Sequence, residues 1–174
     1  MNEKDKQLLG KLILAIAIII LALSFLFPWG EITLGILGAS DFYIWGIQTS
    51  ALISESPATT FYWDLLSPDS LFVEYVQEYL IHVFLTIIML PLNLIALGLA
   101  IIGVTRYQKN GRDLSLRAGI ISLITIFIFV IAVNFGLLNA FEVLSPYYEW
   151  STGLFIGIFS VILFFTSYFI SSSD

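Results

Sequence analysis

Glu78 and His82 stand four residues apart, a spacing that puts a carboxylate and an imidazole on one face of a helix and could give two ligands to a metal ion. A zinc site needs more donors than that, and the chain has no cysteine and no second histidine. A cation held here would lean on carboxylates such as Asp69, Glu74, Glu142 and Glu149, and would be oxygen-ligated and calcium-like. Nucleophilic chemistry has even less to work with. There is no Gly-x-Ser-x-Gly elbow, phosphate-binding glycine loop or His-Glu-x-x-His pair, and Ser54-Glu55-Ser56 has no neighbouring base to activate a hydroxyl. Thiol and disulfide enzymes are excluded by the missing cysteines, and a bis-histidine haem bundle by the single histidine. These residues predict a protein that is not an enzyme and needs no cofactor.

The elements that would position these groups are hydrophobic to an extent soluble chains do not reach. Of 174 residues, 59% are hydrophobic and 11% charged, with a mean hydropathy of +0.96. Soluble domains carry about a quarter charged residues. Four apolar runs, 8–27, 80–105, 116–138 and 152–170, are each long enough to cross a hydrocarbon core, which takes about twenty residues. Ala22-Leu23-Ser24 offers a passable signal-cleavage motif, but the first run exceeds the usual signal core and is expected to be retained as a helix.

Within the runs, Lys11 can snorkel to the interface, and Asn93 and Asn134 are the strongly polar groups at depth. Both amides are expected to hydrogen-bond neighbouring helices. A membrane interior without buried charge argues against an ion-coupled transporter. Gly153 and Gly157, extended by Ser160, and the pair Ala132 and Gly136 make small-residue faces that let helices approach closely, within one bundle or between protomers. Pro91 should kink the second span.

Charge sets the orientation. All seven basic residues lie at one end of the runs: Lys4, Lys6 and Lys11 before or within the first, and Arg106, Lys109, Arg112 and Arg117 around the turn between the second and third. By the positive-inside rule both termini are expected to be cytoplasmic; the expected location is the plasma membrane. The segment 28–79 then lies outside, with seven acids from Glu31 to Glu78 and no Lys or Arg. Such a surface disfavours nucleic acid as a partner.

Ile32, Leu34 and Ile36 alternate with smaller residues, and aromatic and β-branched residues follow a Gly/Ser/Asp turn, which predicts a β-hairpin over 31–49. The stretch 50–60 reads as irregular. Ser67 as N-cap with Pro68 at the first helical position predicts a pre-membrane helix over 68–79, and 139–151 reads as a short outer loop. The aromatics Trp29, Tyr43, Trp45, Phe61, Tyr62 and Trp63 are expected to form an interaction surface at the headgroup level. The fold class is thus an all-α membrane protein, a four-transmembrane-helix bundle with a small extracytoplasmic β-hairpin or sheet and a pre-membrane helix in the first outer loop.

This layout resembles the claudin-like tetraspans. Trp29 corresponds to the Trp early in that family's first outer loop, and Ile44-Trp45 partly to its Gly-Leu-Trp; the following cysteine pair has no counterpart. The Pro28-Trp29 step into a β-rich loop also looks like small prokaryotic membrane proteins of similar layout. The resemblance implies a left-handed bundle used for lateral association or as an accessory subunit, whose partners are the lipid bilayer and another membrane protein or a second copy. The alternative is a membrane enzyme or carrier for a lipid or hydrophobic solute, with a cation on the outer carboxylates.

Overall fold

The computed structural model describes residues 3–33, 39–50, 58–61, 80–132 and 148–171. Among them are four long helices: α1 (Glu3–Ser24), α2 (Leu80–Thr105), α3 (Arg112–Ile131) and α4 (Thr152–Ile170). Each is long and apolar enough to cross a membrane. α1 packs on α4, α4 on α3, α3 on α2 and α2 on α1, closing a ring of four. A single π-helical turn, Tyr107–Gly111, joins α2 to α3.

Many large side chains point outward, with Leu12 57%, Phe127 58% and Phe155 60% exposed, while Ala17, Ala96, Ala100 and Ala118 pack in the interior beside buried large ones such as Leu14, Met89, Phe129 and Phe164. Small side chains at the helix contacts let backbones meet closely. Hydroxyls then act as ties between helices. Ser115 Oγ donates to the Phe164 carbonyl at 2.8 Å, and Ser167 Oγ donates to the Gly10 carbonyl at 2.8 Å.

Across the end of the bundle opposite the termini, the described residues form an antiparallel sheet of five strands: β1 (Gly30–Thr33), β2 (Ala39–Phe42), β3 (Gly46–Ser50), β4 (Ala58–Phe61) and β5 (Tyr148–Trp150). The order is β4-β3-β2-β1-β5, a meander with the distant β5 added beside β1. Side chains alternate between faces along a strand. Ile32, Phe42 and Ile47 fall on the bundle side and join Met89, Phe129, Leu154 and Val161 of the helices in one core. Glu31, Asp41, Gln48 and Glu149 take the other side, Glu31 being paired with Asp41 in β2 and with Glu149 in β5.

The structure departs from the sequence reading at five places. The single hairpin over 31–49 becomes β1, β2 and β3, because the Tyr43 N–H donates to the Gly46 carbonyl at 2.8 Å and turns the chain again. The irregular 50–60 stretch ends in β4, where Thr59 and Phe61 supply a β-branched and an aromatic side chain, and the loop 139–151 ends in β5. α1 starts at Glu3, ahead of the apolar run, and α3 at Arg112, inside the segment expected to be the turn. The pre-membrane helix over 68–79 and residues 133–138 of the third run lie outside the described residues.

Candidate functional site

The C-terminal carbonyls of a helix need partners that the helix itself cannot supply. At the end of α1 two indoles supply them. Trp29 Nε1 donates to the Ser24 carbonyl at 2.9 Å, and Trp45 Nε1 to the Phe25 carbonyl at 3.0 Å. One indole leads into β1 and the other sits in the β2–β3 turn, so both clamp the sheet to the same helix end.

Trp29 is 0% exposed. Its ring meets Phe129 edge-on, with centroids 5.3 Å apart, and lies over Gly157, where a Cβ would stand 3.2 Å from Trp29 Cζ2. The Gly153 N–H donates to the Pro28 carbonyl at 2.7 Å and the Ser151 N–H to the Trp29 carbonyl at 3.1 Å. The glycine face of α4 therefore receives the elbow between α1 and β1 of its own chain. Spacing alone could not choose between that use and a seam between protomers.

On the side of the sheet that carries the carboxylates, Tyr43 stacks on Trp45 with centroids 4.6 Å apart, and Phe61 leans on Trp45 at 5.6 Å. Tyr43 Oη donates to Gln48 Oε1 at 3.2 Å. Phe61 in edge strand β4 and Trp150 in edge strand β5 are each 38% exposed, so aromatic surface shows at both margins of the sheet. Strand edges carry unpaired backbone donors and acceptors and are the usual sites of strand addition.

Glu31 faces a carboxylate on either side, and like charges directly opposite one another destabilise a sheet. Partial burial, and then the charge of Glu31, raise the Asp41 pKa above its ordinary 3.8. Tyr43 is raised from 10.0 by its own burial and then by Asp41, and burial raises Tyr148. The native Asp41 carboxyl keeps its proton to higher pH than the unfolded one. Folding is favoured most where both are protonated, and that advantage is lost as pH rises from 3.8 through the native value. Asp41→Asn is expected to stabilise the sheet at neutral pH and to flatten this part of the profile, read from tryptophan-fluorescence melts at pH 4 to 8. An unchanged slope would remove Asp41 as its source.

Of the other residues singled out in the sequence, Trp29 is corrected from surface to core: it is held there by its indole bond and by the room that Gly157 leaves. Asn93 is fully buried, and among the described residues neither amide atom has a hydrogen-bond partner, so its expected bond to a neighbouring helix is not found there; Ala132 is buried just past the end of α3. His82 falls in the first turn of α2, with its side chain outside the description; Glu78, Tyr62, Trp63, Asn134 and Gly136 lie outside the described residues. Among the described residues no group of three or more His, Asp or Glu could hold a metal. Sequence reasoning missed Tyr148, Ser151 and Trp150, whose alternation around Glu149 was too short to stand out.

The fold defines a class: four apolar helices with a five-stranded antiparallel sheet clamped across one end. No protein-family model matches the chain, and no curated protein matches it.

Proposed function

We propose that the chain is a multi-pass protein of the plasma membrane with cytoplasmic termini, acting without catalysis through its extracytoplasmic sheet as an assembly or accessory subunit. The basic residues at the terminal end and the acids on and around the sheet support that orientation. The observation that carries the interaction role is the clamp itself. Trp29 and Trp45 fix the sheet to α1, so that the exposed aromatic edges at Phe61 and Trp150 are presented rigidly instead of on a loose loop. A preorganised surface binds with little ordering cost. Lateral association of the claudin-like kind fits this arrangement: a strand edge and an aromatic anchor beside the membrane, with a partner or a second copy alongside.

The test uses a photo-reactive amino acid at position 61, at position 150 and, as a control on the lipid-facing surface, at position 127. In native membranes, positions 61 and 150 are expected to give a discrete protein adduct and position 127 to give lipid adducts alone. Lipid adducts at all three positions, with a monomer after mild extraction, would overturn the proposal.

A further inference from the structure

At the opposite end of the bundle an open groove of about 1010 Å³ runs between the start of α1 and the turn after α2. Lys4, Gln7, Leu8 and Lys11 line one wall, at a spacing that puts all four on one helical face. Thr105, Arg106 and Tyr107 form the other. Three cations from two distant segments converge there, and among the described residues no acid lines the groove; Glu3 and Asp5 neighbour Lys4 in sequence but are not part of its lining. None of Lys4, Lys11 and Arg106 has an ion-pair partner among the described residues.

The floor is built rather than incidental. Tyr107 is buried, its hydroxyl bonded to Ser171 and lying 3.3 Å from Ser167 Oγ, and Ser167 Oγ in turn holds the Gly10 carbonyl. A Cβ at Gly10 would overlap the Tyr107 hydroxyl, so the glycine is what lets this ring close the groove. Lys4 and Lys11 are separated by roughly 10 Å along the helix, enough to cover a headgroup layer of about 5–8 Å. Immediately toward the bundle centre the flanking surface turns apolar, with Leu12 and Ile16 of α1 and Ile101 and Ile102 of α2 exposed.

We infer that this groove binds the phosphate of an anionic phospholipid, with its acyl chains against that apolar surface. Three converging like charges need a counter-anion, and charge-assisted bonds from lysine and arginine to phosphate oxygens are the strong kind. Basic pockets between helices at the cytoplasmic interface are suited to such headgroups. The inference rests on the membrane reading above and goes beyond it.

The test is a thermal melt of the detergent-purified full chain, titrated separately with short-chain phosphatidylglycerol, with phosphatidylcholine of the same chain length and with inorganic phosphate. Phosphatidylglycerol alone is expected to raise the melting temperature saturably. Arg106→Gln should weaken its apparent affinity roughly fivefold, and Lys4→Gln, Lys11→Gln and Arg106→Gln together on the order of a hundredfold, with the lipid-free melt unchanged. Arg117→Gln, at the same end but outside the groove, should leave it as it is. Equal shifts with both lipids, or equal losses for Arg117→Gln and Arg106→Gln, would overturn the assignment. An inorganic phosphate response matching phosphatidylglycerol would overturn the lipid part of it. Flotation with carbonate-washed phosphatidylcholine vesicles reports membrane insertion independently: failure to float sinks the membrane reading and the groove with it, whereas flotation without headgroup selectivity sinks the groove alone.

Discussion

Trp29→Ala is expected to destabilise the protein by about 3–5 kcal/mol, the range for emptying a buried large aromatic site. The expectation rests on what surrounds the ring. Trp29 is fully buried, meets Phe129 edge-on, covers Gly157 and caps the Ser24 carbonyl, and its neighbours come from α1, α3, α4 and β1. Elements anchored by three separate helices cannot all collapse into the space it would leave. Trp29→Phe separates the two contributions: it keeps an aromatic ring against Phe129 and Gly157 but removes the N–H, and should cost about 1 kcal/mol for the lost bond plus a smaller packing loss. Melting of the detergent-purified protein, followed by circular dichroism, gives the ranking. Limited proteolysis of the sheet gives the location, since an unclamped sheet should be cut while the helices still resist. If the alanine variant melted with the phenylalanine one, the ring would be doing no more than holding a hydrogen bond, and the clamp would not be a packed joint.

The helices were legible because uninterrupted apolar runs long enough to cross a hydrocarbon core stand out at any register. Their ends were not. α1 continues outward through Lys6 and Asp5 to Glu3, since polar residues can carry a helix on once the apolar part has formed it. The first hairpin was visible in the alternation of Ile32 and its neighbours, whereas β5 was not. Three residues, Tyr148, Glu149 and Trp150, are too few to establish a period, and their partner strand lies more than a hundred positions earlier. The same limit hid the carboxylate row. Glu31, Asp41 and Glu149 become neighbours only through the register of three strands, which no local pattern encodes. Trp29 was visible as an aromatic at the start of a loop, and its burial depended on the chain folding back at Phe25 and Leu26 so that the indole reached the end of its own helix. The basic groove was half legible: the charges were counted for orientation, and their convergence required α1 to lie beside the turn after α2.

One substitution made at two glycines is expected to change stability in opposite directions. At Gly153 an added Cβ would stand 2.6 Å from both the Pro28 carbonyl oxygen and Trp29 Cδ1. That carbonyl is backbone and already accepts the Gly153 N–H at 2.7 Å, so it cannot turn aside without moving the elbow between α1 and β1. Gly153→Ala should therefore cost about 1–3 kcal/mol, the range for overpacking a tight contact. At Gly98, in the interior of α2, none of the described residues lies within 4 Å of the corresponding Cβ. There, alanine removes only the backbone entropy that glycine loses in a helix, and Gly98→Ala should gain about 0.5–1 kcal/mol. Parallel melts of the two variants check the sign of each. Combining Gly153→Ala with Trp29→Ala sharpens the result, because residues sharing a contact do not add. With the indole gone, part of the space the new methyl needs is already free, and the double variant should lose less than the two single losses together. Strict additivity would mean that the glycine and the tryptophan serve different contacts, and would leave the fixed position of the sheet on the helices without its physical cause.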